Sequence, residues 1–180
     1  MSGKLHIQLS AGAVVLIALM YFFDGSGILA AAVPAVLVHE LGHYSLLRLC
    51  GRRVTCLRIG IFGLEMDYAG YLDGTRAVLC IAAGPLFGLT YAVMSCRVGG
   101  KFAELSGALS FVLSIFNLLP VLPLDGGRLV AEITNETFAG RLSAAASLIL
   151  LLGGAAVLLR FRTISLLIPA VWLVLYNFRV

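Results

Sequence analysis

Three ionisable side chains lie within five consecutive residues of an otherwise apolar segment: His39, Glu40 and His43. An α-helix turns about 100° per residue, so His39 and His43 would lie one turn apart and about 40° from each other on the same face. Two neutral imidazoles in this arrangement can bind one zinc ion, with Glu40 beside them. The HExxH pattern therefore predicts a metal site on this helix.

The apolar surroundings of this motif decide between two interpretations. In a soluble helix, HExxH can occur by chance, and its histidines are then simply solvated. At about 1.5 Å per residue, His39 lies about 16 Å from Ile28, where the apolar segment begins, in a hydrocarbon core about 30 Å thick. Ionisable groups at such a depth are costly and indicate a function. Metal binding therefore explains the motif better than solvation does.

The composition supports a membrane location. The chain has 180 residues, of which 61% are hydrophobic and 12% charged, whereas soluble domains average about 25% charged residues. An ordinary soluble domain, a disordered chain and a disulfide-rich scaffold are therefore excluded. The net charge of +4 is dispersed without a run of Lys or Arg, so we expect no nucleic-acid partner. We expect a single membrane domain over residues 1–180, with the lipid bilayer as its surroundings.

Six apolar segments could cross the bilayer and predict an all-α polytopic membrane protein. They comprise residues 9–23, 28–50, 77–96, 105–124, 142–159 and 163–178. With a cytoplasmic N-terminus, nine Lys and Arg residues lie inside and four outside, which favours this orientation in the cell membrane. The active site would then open toward the cytoplasm. The alternative for the first segment is a cleaved signal peptide, but the hydrophobicity of the remaining chain favours a retained anchor.

Residues 53–72 interrupt the helical pattern. Apolar and polar residues alternate strictly over residues 63–68, which is the period of a β-strand. We therefore expect a small membrane-associated β-hairpin over residues 53–72, with an amphipathic surface loop as the alternative.

A third zinc ligand is expected from another segment, because catalytic zinc usually has three protein ligands. Asp125 is the favoured candidate. Pro120 and Pro123 prevent regular helix from continuing, and Gly126-Gly127 permits a tight turn, so Asp125 lies on irregular backbone at a depth similar to that of His43. His6 would be too shallow. The easily hydrated acidic residues of the hairpin region stay as alternatives: Glu65, Asp67 and Asp73.

Two motifs together resemble the site-2 protease family of intramembrane zinc metalloproteases. The first is His-Glu-Leu-Gly-His at residues 39–43, and the second is Asn-Leu-Leu-Pro-Val-Leu-Pro-Leu-Asp-Gly-Gly at residues 117–127. The resemblance extends roughly from the second predicted span to the fifth. With six predicted spans and no evident PDZ insertion, the chain is most similar to the stage IV sporulation proteases of this family, which process a sigma-factor precursor.

The resemblance implies a ligand set and catalytic roles. One zinc ion per chain would be bound by His39, His43 and Asp125, with Glu40 as the general base. Asn117 would stabilise the transition state or hold substrate. The substrate would be a membrane-associated protein cleaved in regulated intramembrane proteolysis, such as a transcription-factor precursor, and further partners would be membrane regulatory or inhibitory proteins.

Some features of the sequence leave alternatives open. Ala83-Gly84-Pro85 matches another family motif, but Gly88 stands where a polar residue is often expected, and Gly84-x-x-x-Gly88 is typical of a helix-packing face. The alternative function is a non-proteolytic membrane zinc-binding protein, either a carrier or an inactive scaffold. A carrier would need several exchangeable sites, and an inactive relative would typically lack Glu40. The four cysteines show no pairing pattern and are interpreted as unpaired thiols.

Overall fold

The computed structural model describes residues 6–24, 26–60, 63–72 and 74–178, which are mostly helical with one small β-sheet. The chain is divided into two compact units, residues 1–114 and residues 115–180. The prediction of a single domain is not tested by this division, and each unit is described here by itself.

The first unit contains the sheet and the helix that carries the predicted HExxH motif. Its strands are β1 (His6–Leu9), β2 (Arg53–Gly60) and β3 (Gly63–Ala69). Its helices are α1 (Ala11–Phe23), α2 (Ile28–Leu49), α3 (Gly74–Val98) and most of α4 (Lys101–Asn117). Helices α2 and α3 pack closely, and an apolar cluster around Leu47, Leu72, Ala77 and Cys80 joins them near the end of α2.

The sheet has three strands in the order β1-β2-β3. Strands β2 and β3 are antiparallel, with Leu57 opposite Met66, and both lie within the segment where the alternation predicts a hairpin. Strand β1 pairs in parallel with β2 and places His6 opposite Cys56. The sequence did not predict β1, because four residues are too few to show a period. Residues 61 and 62, at the predicted turn, lie outside the described residues.

The second unit begins with an irregular segment and continues into three helices. Beyond Asn117 the chain leaves the helical conformation, as Pro120 and Pro123 require, and helix resumes at Asp125. The helices are α5 (Asp125–Ile133), α6 (Glu136–Phe161) and α7 (Leu167–Asn177). A buried cluster of Val121, Leu124 and Leu173 packs the irregular segment against α7.

Among the described residues, three helices are long and apolar enough to cross a membrane: α2, α3 and α6. Helix α7 is apolar but has only eleven residues. These helices overlap three of the predicted spans, and the full set of six spans stays a prediction.

The start of α2 is fixed by Asp24, which precedes the helix. Its Oδ1 atom accepts hydrogen bonds from the backbone N–H of Ser26 and of Ile28, each at 3.1 Å, and its Oδ2 atom accepts from the N–H of Leu29 at 2.7 Å. The first N–H groups of a helix have no partner within the helix. The hydrogen bond from Leu29, followed by those from Ser26 and Ile28, lowers the pKa of the Asp24 carboxyl below its ordinary value.

This cap predicts a pH-dependent contribution to stability. Because the folded-state pKa of Asp24 is depressed, its contribution is fully present above the unfolded pKa of about 3.9 and is lost as pH falls through the folded value. We therefore expect Asp24→Ala to lower the midpoint of thermal unfolding in detergent at pH 7, and the difference from wild type to shrink below pH 4.

The control is Ser10→Ala, which removes an uncharged cap, since Ser10 Oγ accepts from the N–H of Ala13 at 3.1 Å. Its effect on the unfolding midpoint should not vary with pH. A deficit of Asp24→Ala that stays constant down to pH 2 would contradict the assignment.

Candidate metal centre

The imidazole of His43 is oriented by the backbone of α3. Its Nδ1 atom lies 2.9 Å from the carbonyl oxygen of Cys80. Because a carbonyl only accepts hydrogen bonds, Nδ1 must donate and therefore carries the proton. The Nε2 atom of a neutral His43 then keeps its lone pair, and a ligand histidine held through its other nitrogen is the usual arrangement in metal sites.

The two histidines of α2 present their Nε2 atoms to each other. These atoms lie 3.3 Å apart, and the rings meet edge to face with centroids 5.0 Å apart. Two nitrogen ligands of a tetrahedral zinc ion, each about 2.0–2.1 Å from the metal, are separated by about 3.3 Å. His39 is 3% exposed, so its imidazole is almost completely shielded from bulk solvent. The spacing of the pair therefore fits a single zinc ion.

Small residues on α2 and α3 permit this close approach. A Cβ atom at Gly42 would lie 2.5 Å from the carbonyl oxygen of Ala83, and one at Gly84 would lie 2.1 Å from His43 Nε2. No side chain fits at either position without displacing its neighbour. Gly84 therefore provides the space in which the His43 ring lies.

One turn further along α3, Gly88 faces α4. A Cβ atom there would lie 2.2 Å from Ser114 Oγ, and Ser110 Oγ donates a hydrogen bond of 2.9 Å to the Gly88 carbonyl. A polar side chain at position 88 would have no room. The two glycines of the Gly84-x-x-x-Gly88 pattern thus contact two different helices, one of which carries the histidines.

Asp125 is the first residue of α5 and is 6% exposed. The prediction that it lies on irregular backbone is therefore wrong: the irregular segment ends at Leu124, and Asp125 begins the next helix. A Cβ atom at Gly126 would lie 2.2 Å from the carbonyl oxygen of Leu118, and one at Gly127 would lie 2.5 Å from the amide nitrogen of Leu122. The glycine pair therefore allows the first turn of α5 to pack directly on the preceding backbone. The guanidinium of the half-exposed Arg128 lies 3.7 Å from the Asp125 carboxylate.

In the first unit, His39 and His43 each offer an imidazole nitrogen as a ligand atom, and in the second unit Asp125 offers a carboxylate oxygen. Two imidazoles and one carboxylate form a donor set that catalytic zinc uses. The residues present therefore fit zinc, and the role of each as a ligand stays a prediction.

Two of the alternative acidic ligands, Asp67 and Glu65, lie near Arg58. Asp67 forms an ion pair with Arg58, which also lies 3.9 Å from the exposed Glu65 carboxylate. The nearby Asp67 carboxylate raises the pKa of Arg58. His6 is exposed in β1, and Asp73 lies outside the described residues.

The two predicted catalytic residues are both half-buried. Glu40 follows His39 in α2, and Asn117 is the last residue of α4. Their catalytic roles stay predictions.

Sequence reasoning missed two parts of the histidine environment. It took Gly84 as a general packing residue, although the structure places it against His43 Nε2. It also missed the Cys80 carbonyl, which no sequence pattern could reveal because every residue carries one. All four cysteines are free thiols, with Cys50 and Cys80 sulfurs 3.8 Å apart.

The chain is similar in sequence to a peptidase family and to a named metalloprotease. A sequence model of the family described as Peptidase family M50 matches residues 98–161, which include Asn117 and Asp125 but not the histidine pair. Rip3 of Mycobacterium tuberculosis, a candidate zinc metalloprotease by its name, is 31% identical over 126 residues in strains Erdman and H37Rv. This match covers 63% of the chain and 32% of the relatives, so the chain spans about a third of their length.

A site-2 protease from Methanocaldococcus jannaschii has a similar solved structure. The similarity covers 98% of this chain and 90% of that chain, with a TM-score of 0.69 and 21% sequence identity. At this level of identity the likeness establishes the fold, which is that of the archaeal protein.

Proposed function

We propose that this chain is a zinc metalloprotease of the site-2 protease family, which hydrolyses a peptide bond in or near a membrane-embedded segment of a protein substrate. The observation that carries the proposal is the histidine pair, whose Nε2 atoms lie 3.3 Å apart while the Cys80 carbonyl fixes the tautomer of His43. The family-model match over residues 98–161, the identity with Rip3 and the fold likeness support it.

The proposed ligands are His39, His43 and Asp125, for one zinc ion per chain. Zinc, when bound, would acidify a water molecule and polarise the carbonyl of the scissile peptide. The chain itself keeps the ligands in place: the Cys80 carbonyl orients His43, and the glycine pair after Asp125 fixes the turn that carries the carboxylate.

Glu40 is the proposed general base. It adjoins His39 on α2 and is half-buried, so its carboxylate is partly shielded from solvent. It would accept a proton from the attacking water and later donate it to the leaving amine. Asn117 can donate a hydrogen bond through its side-chain amide, and we propose that it stabilises negative charge on the substrate carbonyl or holds the substrate chain.

The sheet supplies a docking edge for an extended substrate. A helical substrate segment hides its peptide groups and must unwind before hydrolysis. Within the described strands, β2 is paired on both sides, whereas β3 is paired on one side only. The outer edge of β3 is therefore the proposed position for strand addition by the substrate.

The proposal also includes the membrane topology, the substrate and the regulation of the protease. We propose six spans, three of which are supported by the candidate spanning helices. The distribution of Lys and Arg supports a cytoplasmic N-terminus and an active site open to the cytoplasm. Regulated proteolysis of a transcription-factor precursor, as in the sporulation subgroup, and control by membrane regulatory or inhibitory proteins stay proposals. The second candidate function, a zinc carrier or inactive scaffold, would keep the metal without cleavage.

Substitution of the proposed ligands tests the function. We expect the wild-type protein to be purified with about one zinc per chain, and His39→Ala or Asp125→Ala to bind zinc more than about 100-fold more weakly, because each loses a direct ligand. Both variants should also fail to cleave a co-expressed membrane substrate. Zinc content is measured by elemental analysis, and cleavage by sequencing the new terminus of the product.

The matched control is His6→Ala, since His6 is exposed in β1 and should not change zinc content. Cleavage by a metal-free His39→Ala protein would contradict the proposal. Zinc binding by wild type without cleavage of any membrane protein in the host would favour the carrier or scaffold.

A further inference from the structure

The irregular segment before α5 is held at one residue by two side chains, one from α6 and one from α7. The N–H of Leu122 donates to Ser143 Oγ of α6 at 2.6 Å, and the carbonyl of Leu122 accepts from Asn177 Nδ2 of α7 at 2.8 Å. Ser143 Oγ in turn donates to Asn177 Oδ1. We name this closed arrangement of Leu122, Ser143 and Asn177 the Leu122 clamp.

The clamp is partly buried, and the polar groups that form it are paired. Ser143 is fully buried, and its hydroxyl both accepts and donates a hydrogen bond. Asn177 Nδ2 also donates to the carbonyl of Leu173 at 2.8 Å, one turn earlier in α7, which fixes the orientation of the amide. Backbone N–H and C=O groups that are shielded from water are costly unless they are hydrogen-bonded. Leu122 therefore has one strongly favoured position.

Leu122 is linked to Asp125 by a tight turn. The N–H of Leu124 donates to the carbonyl of Val121 at 2.8 Å. A Cβ atom at Gly127 would lie 2.5 Å from the amide nitrogen of Leu122, so the first turn of α5 packs directly on the backbone of Leu122. A shift of Leu122 would therefore move the start of α5 and the Asp125 side chain with it.

We infer that Ser143 and Asn177 are positioning residues for the Asp125 carboxylate: they hold its supporting turn in place through the backbone N–H and C=O groups of Leu122. The inference rests on the proposed function in one respect, since it takes Asp125 as a zinc ligand. Asn177 lies beyond the residues 98–161 that the family model matches, and its role follows from its contacts alone. Neither residue touches the reacting groups.

The test compares Asn177→Leu and Ser143→Ala with a matched control. Ser147 lies one turn further along α6 and is equally buried, but its hydroxyl donates to the Ala144 carbonyl of its own helix at 2.8 Å. Each protein is purified in detergent, and its zinc dissociation constant is measured by competition with a fluorescent chelator. Thermal unfolding of the zinc-free forms is recorded alongside.

We expect Asn177→Leu and Ser143→Ala to raise the zinc dissociation constant by about 10- to 100-fold, the range found when a partner that orients a ligand is lost. Ser147→Ala should leave the dissociation constant unchanged, even where it lowers the unfolding midpoint as much as Ser143→Ala does. If Ser143→Ala and Ser147→Ala bind zinc equally well, the inference is overturned. If Asn177→Leu fails to fold, the comparison of Ser143→Ala with Ser147→Ala still tests the inference.

A second readout separates this inference from the proposed function. Amide hydrogen exchange at Leu122 and Leu124 is measured in the zinc-free wild type and in both clamp variants. We expect at least tenfold faster exchange in the variants, and unchanged exchange would overturn the clamp. Failure of the wild type to bind zinc would overturn the proposed function and the role of the clamp in positioning a zinc ligand. Faster amide exchange in the clamp variants would still show that Ser143 and Asn177 hold Leu122 in place.

Discussion

Glu40→Gln is expected to keep the zinc content of the wild-type protein and to lower the rate of substrate cleavage by about 10²- to 10⁴-fold, the usual contribution of a general base. Glutamine has nearly the same shape as glutamate, so the packing of α2 is preserved. Its amide cannot accept a proton from water at neutral pH, and the proton-transfer step is lost. The proposed zinc ligands, His39, His43 and Asp125, are untouched.

The measurement pairs metal analysis with a cleavage assay on the same purified samples. Glu104→Gln is the matched control, because Glu104 is an exposed glutamate in the first turn of α4 and both assays should give wild-type values. Cleavage at the wild-type rate by Glu40→Gln would refute the general-base role. Loss of zinc from Glu40→Gln would show instead that the carboxylate supports the metal site.

Gly84→Ala is expected to weaken zinc binding by about 100-fold, at the upper end of the effects seen when the support of a ligand is disturbed. The new methyl group would lie 2.1 Å from His43 Nε2 and 2.5 Å from its Cε1 atom, well inside van der Waals contact. The ring must therefore turn away from His39, or α2 and α3 must separate. Either change breaks the 3.3 Å spacing of the two Nε2 atoms.

Gly140→Ala and Gly153→Ala are the controls for this substitution. Both glycines lie inside α6, and a Cβ atom at either position would meet nothing within 4 Å. Alanine favours helix by about 1 kcal/mol over glycine, so these variants should be at least as stable as wild type and bind zinc normally. Unchanged zinc affinity in Gly84→Ala, measured by the same chelator competition, would contradict the close approach of α3 to His43.

The sequence could predict those parts of the fold and the site that depend on short, local sequence patterns. The spacing of His39 and His43 follows from the helical period, and the end of regular helix before Asp125 follows from Pro120 and Pro123. The alternation over residues 63–68 likewise predicts the strand found there. Each of these signals lies within about a dozen residues, where local geometry decides the conformation.

The rest depends on contacts between distant parts of the chain. Strand β1 pairs with β2 about fifty positions later, and Asn177 reaches back to a carbonyl fifty-five residues earlier. The contact between Gly84 and His43 depends on the rotation of α3 about its axis relative to α2. No local propensity encodes such pairings, so a single sequence gives no signal for them.

The carbonyl that orients His43 belongs to the main chain, and this has a consequence for how the protein tolerates genetic change. Replacing Cys80 by another small residue keeps the main-chain carbonyl, so such a substitution does not remove the hydrogen bond to the His43 imidazole. At position 84 the essential property is the lack of a side chain, which every alternative amino acid forfeits. Two neighbouring turns of one helix thus differ sharply in mutational robustness, although both serve the same histidine.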